Sequence, residues 1–184
     1  MATIPGQDRE YRMLPATERP IVRRKAARII VRCQDRVFLE HDSDPGAGVT
    51  WWMTPGGGLD GDETYAQAAV RELFEETGWT ITEADLVGPV AHRYVSHGYS
   101  DEVLTQDEQF FVLHLSELLD ADTSGFTEEE LRTMHGSGWF TVAELSAMQV
   151  FPADIARFLG DELPPFVEYG NVDESIVPLD ERFD

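Results

Sequence analysis

The sequence predicts an α+β fold, a mixed β-sheet served by a few helices. Strand patterning rich in Val, Ile, Phe and Trp recurs at 23–33, 36–42, 51–55, 86–96 and 108–116. Helical patterning is confined to a few stretches, without the regular alternation of a doubly wound parallel sheet. The 184 residues, 42% hydrophobic and 10% aromatic, suffice for one packed core with terminal extensions. The expected organisation is an irregular arm over 1–22, a domain over 23–162 and an acidic tail over 163–184.

The arm is polar and carries Pro5, Pro15 and Pro20. Residues 23–33 read as a strand that becomes more buried toward its end. Gln34 and Asp35 turn it into a second strand at 36–42, making a hairpin. Residues 43–50 are a loop on composition, and 51–55 return extended into the glycines Gly56 to Gly58. Residues 64–77 are the clearest helix. Strands at 86–96 and 108–116 flank a polar loop. A capping box of Thr127 and Glu130 opens a short helix, and Thr141 with Glu144 opens another after a short strand. Residues 152–163 read as a further helix with Pro152 in its first turn. The tail reads as extended.

Charge restricts the function classes. The formal net charge is -21, which repels DNA, RNA and anionic membranes. A small phosphate ligand remains compatible if cations neutralise it locally. Nine of the fourteen Lys and Arg residues fall between Arg9 and Arg36, so one or two arginines there are candidates to meet an anionic substrate. Cys33 is the only cysteine, follows an apolar run and reads as a buried structural thiol. No signal-peptide core is seen, and no apolar stretch reaches the roughly 20 residues of a membrane span. The cytoplasm is the expected compartment.

The helix at 64–77 carries the chemistry. Asp62, Glu63 and Thr64 supply acidic and capping groups at its start, and Gly78 a left-handed stop. At about 100° per residue, Ala66, Ala69, Val70, Leu73 and Thr77 share a face that packs on the sheet. Glu72, Glu75 and Glu76 then share a roughly opposite face. Like charges one turn apart destabilise a helix, and the macrodipole disfavours them near its C-terminal end. A hard divalent cation, Mg²⁺ or Mn²⁺, removes the conflict.

The segment resembles the signature of the Nudix hydrolase family, with Gly57, Glu63, Arg71, Glu72, Leu73, Glu75, Glu76, Gly78 and Trp79 at the signature positions. Only Trp79 departs, standing where an aliphatic residue is usual. The resemblance implies an α/β/α sandwich with a loop–helix–loop packed on a mixed sheet. It implies Mg²⁺-dependent attack of water on phosphorus in a nucleoside diphosphate linked to another group. It also implies Gly57, Glu72, Glu75 and Glu76 as metal ligands, with Glu75 a ligand or base and Arg71 holding a glutamate in place. Gly56 and Gly58 are read as loop-forming, and Glu63 as a brace for the loop.

The family often adds an acidic residue from outside the signature. Glu108 is the expected residue for that role, as ligand or general base, because it opens the strand at 108–116, with Asp107 and Glu102 as rivals. Arg28, Trp52 and Tyr94 are the expected substrate contacts, and Trp51 and Trp139 are further candidates to stack on a base. His92, His97 and His114 show no zinc-like spacing. Two other functions fit the same fold: a nucleotide-sensing module without turnover, and an isoprenoid diphosphate isomerase. The intact glutamates disfavour the first, and no displayed acid/base pair supports the second. The expected partner is a small nucleotide, and the terminal segments leave a homodimer open.

Overall fold

The computed structural model describes residues 11–128 and 130–183. The first part of the expected arm and Glu129 lie outside them. Among the described residues the strands are β1 (Ile21–Cys33), β2 (Arg36–Asp44), β3 (Val49–Met53), β4 (Leu86–Gly98), β5 (Val103–His114), β6 (Gly136–Thr141), β7 (Val150–Phe151) and β8 (Val167–Asp173). The helices are α1 (Tyr65–Thr77), α2 (Glu130–Thr133) and α3 (Val142–Leu145). The strands form one sheet in the order β7-β3-β2-β1-β5-β4-β8, with β6 paired to β2. It is mixed: β1 runs parallel to β5, β3 to β7 and β4 to β8, and the other pairs are antiparallel.

Each sheet face is covered. On one, α1 lays Ala68, Ala69 and Leu73 against Ala27, Ile29, Val31, Phe38, Phe111 and Leu113. On the other, Leu145 of α3 and a 3-10 turn at Ile155–Phe158 cover Ile30, Leu39, Phe110 and Val112. The second helical layer is therefore thin. Residues 152–163 do not extend the turn into the expected helix, and the expected helix at 126–136 is one turn, α2. Both capping boxes nonetheless form: the Thr127 amide donates to Glu130 Oε2 at 2.6 Å, and the Thr141 amide to Glu144 Oε2 at 2.8 Å.

Two segments differ from the sequence reading. The polar stretch expected as a loop before 108 joins β5, because Gln106 and Glu108 turn inward, Gln106 to meet Arg24 and Glu108 to meet the buried Arg28 and Arg93. The expected tail contributes β8, parallel to β4. Its far end is laced to the N-terminal segment. The buried Arg19 donates to the carbonyls of Tyr99, Val177 and Pro178, and Arg182 donates to the carbonyl of Ala16 at 2.7 Å.

One irregularity positions the site. β1 and β2 pair only at their closed end, Arg32 with Val37 and Cys33 with Arg36. Beyond it the strands part, and the glycine segment fills the gap. The Ala27 amide donates to the Gly57 carbonyl and the Ile29 amide to the Pro55 carbonyl, both at 2.9 Å. The Leu59 amide returns a bond to the Lys25 carbonyl at 3.0 Å. Gly56 has φ +125°, and a Cβ there would fall 2.1 Å from the Ala27 carbonyl oxygen, so only glycine fits.

Candidate active site

α1 starts and stops as its sequence dictates. The Thr64 hydroxyl accepts from the Gln67 amide while the Gln67 side chain reaches back to Thr64, and Gly78 closes the helix at φ +73°. The glycine segment crosses beside its acidic part. A Cβ at Gly57 would lie 2.6 Å from the Glu72 carboxylate, so the bare backbone comes directly up to that group.

The three helix glutamates do not share one exposed face as expected. Glu76 is buried, on the sheet side with Leu73 and Thr77, and Glu72 is partly buried. Glu75 is half exposed. The helix rotation carries Ala68 inward and Val70 partly outward. Glu76 Oε2 accepts from the Gly56 amide at 2.8 Å. Burial raises the Glu76 carboxyl well above the usual range, with Glu40 and Glu72 adding repulsion. Burial raises Glu72 as well, against the attraction of Arg71.

Arg71 ties these groups together. It holds Glu63 through two nitrogens at 2.8 and 2.9 Å, Glu72 at 2.9 Å, Glu75 at 3.1 Å and the Gly58 carbonyl at 2.8 Å. The pairing with Arg71 lowers Glu63 to about 2. Glu63 also accepts from the Asp60 amide at 2.9 Å, which braces the loop as expected. Arg71 thus links the loop to two of the helix glutamates. Among the described residues no three His, Cys, Asp or Glu side chains stand at the mutual spacing of a formed metal site. Arg71 engages both Glu72 and Glu75.

Glu108 does not reach this cluster. It is fully buried among Arg28 (3.1 Å), Arg93 (2.6 Å) and Gln106 (2.9 Å). Burial pushes its carboxyl up, but Arg93 and Arg28 outweigh that and hold it at about 2. A carboxylate so stabilised is a poor proton acceptor, so the expected catalytic role gives way to a structural one. Its folded pKa lies below the ordinary 4.5, so its contribution to stability is present above about pH 4.5 and is lost as pH falls through about 2. Melting curves should therefore show the gap between wild type and Glu108→Gln closing as pH drops through that window. A gap independent of pH would contradict this account. Of the rivals, Asp107 bonds His92 at 2.9 Å, and Glu102 sits in the turn between β4 and β5.

The expected substrate contacts are not brought together. Arg28 is buried, and besides Glu108 it donates to the carbonyls of Gly56 at 2.6 Å and Thr54 at 3.3 Å. It clamps the glycine segment from within. Trp52 stacks on His41 at 4.5 Å and meets Phe140 edge-on at 4.5 Å. Tyr94 is 52% exposed on β4. β2, β1 and β5 lie between the strands of Trp52 and Tyr94, four strand spacings or about 19 Å, too far to clasp one base. Trp51 is buried, and Trp139 packs on Phe38 and Trp79. Trp79 donates to the Asp120 carbonyl at 3.0 Å, so the unusual aromatic belongs to the core under α1. The exposed cations nearest the glycine segment are Arg24 and Lys25; a Cβ at Gly58 would come within 3.1 Å of Arg24.

One group was missed. Glu40 is 2% exposed, its Oε1 has no hydrogen-bond partner, and burial raises its carboxyl to about 8. A signal existed: in the strand at 36–42, residue 40 shares the face of Phe38, which packs under α1.

A family model described as NUDIX domain matches residues 22–159. An RNA pyrophosphohydrolase of Novosphingobium aromaticivorans is 41% identical over 78 residues, 41% of this chain and 46% of that protein. One from Legionella pneumophila is 33% identical over 95 residues, 47% of this chain and 52% of that protein. The chain thus spans about half the length of these curated relatives. Among solved structures, MutT protein from Methanosarcina mazei Go1 covers 77% of this chain and 92% of its own at 17% identity and a TM-score of 0.52. A MutT NUDIX hydrolase from Burkholderia pseudomallei covers 73% and 95% at 23% identity and a TM-score of 0.51. At these identities the structural likeness bears on the fold. No helix among the described residues is long and apolar enough to cross a membrane.

Proposed function

This chain belongs to the NUDIX family, and from that premise we propose that it is a divalent-cation-dependent pyrophosphohydrolase of small nucleotides. The observation that carries the reading is the approach of the Gly57 backbone to Glu72, with the buried Glu76 alongside. Hard oxygen donors and a backbone that only glycine allows fit Mg²⁺, or Mn²⁺ in its place. The unpartnered Oε1 of Glu40 in the same cluster strengthens the fit. Gly57, Glu72 and Glu76 would hold the ion, with Glu75 as a further ligand. When bound, such a cation offsets phosphate charge and lowers the pKa of water.

The chain's own residues then have separable tasks. Arg71 aims Glu72 and Glu75 and fixes the loop through Glu63 and Gly58. Glu75, the most exposed of the three helix glutamates, would serve either as that further ligand or as the base that takes a proton from an attacking water. Arg24 and Lys25 replace Arg28 as the cations offered to phosphate. Arg28 holds Gly56, and Gly56 holds Glu76.

The net charge of -21 favours a free nucleotide over a polymer. The relatives named RNA pyrophosphohydrolase favour a second substrate, the 5′ end of an RNA. A panel of nucleoside triphosphates, nucleotide sugars, dinucleoside polyphosphates and 5′-triphosphorylated RNA, assayed with Mg²⁺ and after chelation, decides between them. The expected result is metal-dependent turnover of a free nucleotide. Nucleotide binding without turnover of any substrate would leave a sensing module, and turnover unaffected by chelation would remove the cation from the reading.

A further inference from the structure

We propose that Glu40 is a cation ligand, a carboxylate supplied by the sheet that completes the centre begun by Glu72 and Glu76 on α1. The inference rests on the hydrolase reading above and extends it outside the helix. Three observations support it. First, Glu40 faces α1: Phe38, two residues earlier on the same strand face, packs on Trp79 at 4.8 Å. Leu73 of α1 packs in the same cluster as Phe38, and Glu76 is buried one turn beyond Leu73 on that side of the helix, as Glu40 follows Phe38 by one step along its strand face. Second, the chain folds back to the same point. Glu40 pairs with Met53 across β2 and β3, and Gly56 then donates to Glu76. Third, Oε1 of Glu40 is sealed from solvent without any hydrogen-bond partner. A buried carboxylate oxygen normally finds a donor, and an unmet one facing further carboxylates suits a cation better than a protein group.

The local charges agree. The groups facing Glu40 are Glu72, Glu76, Asp42 and Glu130 on the acidic side and Arg28 on the basic side. Arg28 is committed to Glu108 and two carbonyls, and Arg71 pairs with Glu72 but with neither Glu40 nor Glu76, so among the described residues no cation is hydrogen-bonded to those two buried carboxyls. A purely structural acid at this position would be better served by glutamine or leucine.

The test is Mn²⁺ binding to the full-length, metal-stripped chain, followed calorimetrically and by the Mn²⁺ spin signal. Glu40→Gln keeps the shape and removes the charge. Its affinity for Mn²⁺ is expected to fall at least about 10- to 100-fold, the loss already seen when only a partner behind a metal ligand is removed. The metal-free melting temperature should not fall, because one of several crowded acids is neutralised. Wild-type affinity in Glu40→Gln overturns the proposal and leaves the hydrolase reading standing, provided Glu76→Gln loses Mn²⁺. Absence of Mn²⁺ binding in the wild type overturns both. Should Glu40→Gln fail to fold, Glu40→Asp keeps the charge and withdraws it by one methylene. Weakened Mn²⁺ binding then supports the assignment, and unchanged binding refutes it.

Discussion

Replacing Glu76 with glutamine is expected to lower turnover at least ~100-fold, about 2.7 kcal/mol of transition-state stabilisation. Glutamine preserves the acceptor that meets the Gly56 amide at 2.8 Å, so the glycine segment keeps its anchor. What disappears is a charge that burial and the neighbouring Glu40 and Glu72 already disfavour. The metal-free variant should therefore melt no lower than wild type, and a cation should stabilise it less. That combination separates a functional group from a structural one, since loss of a stabilising ion pair would depress both activity and melting temperature. Steady-state kinetics with Mg²⁺ and melting curves with and without the ion provide the check. Near-normal kcat would remove Glu76 from its assigned role.

Arg28→Met is expected to destabilise the fold by about 3–5 kcal/mol, the cost of breaking a buried ion pair from one side. Arg28 is 6% exposed and donates to Glu108, Thr54 and Gly56. Methionine fills part of the space and leaves Glu108 fully buried with Arg93 and Gln106, and two loop carbonyls without this donor. Against a total stability of ~5–15 kcal/mol this is a large fraction. Arg28→Lys should recover little, because one ammonium cannot replace a fork that serves three acceptors. Exposed Arg23 on the same strand provides the comparison; Arg23→Met should stay within about 0.5 kcal/mol. Urea unfolding of the three variants measures this, and a loss under ~1 kcal/mol in Arg28→Met would show that the loop carbonyls and Glu108 find other partners.

The legible parts of this chain were those set by local rules. α1 was readable to within one residue because Thr64, Gly78 and the apolar spacing between them act within a few turns. The glycine segment was readable because its residues have few other uses. The tilt of α1 was not, since Glu76 is buried against the expectation that acids face out. The polar start of β5 read as a loop because Gln106 and Glu108 look like solvent residues until Arg24, Arg28 and Arg93, distant in sequence, are brought beside them. Glu40 was missed for the opposite reason. It sits in an apolar strand where alternation marks it as inward-facing, but its significance depends on Glu72 and Glu76, more than thirty residues away. That Trp52 and Tyr94 stand apart was not legible either, because strand order, which local pattern does not encode, puts three strands between them.

The lacing of the two ends of the chain bears on where this domain stops. Arg93 finds its second carboxylate in Glu174 at 2.6 Å, and Arg19 finds its acceptors at Val177 and Pro178. All of these partners lie past residue 159, where the family match ends. The stretch that defines kinship is thus shorter than the stretch that satisfies its own buried cations: an excised core of 22–159 would lose Arg19 with its acceptors and leave Arg93 with Glu108 alone.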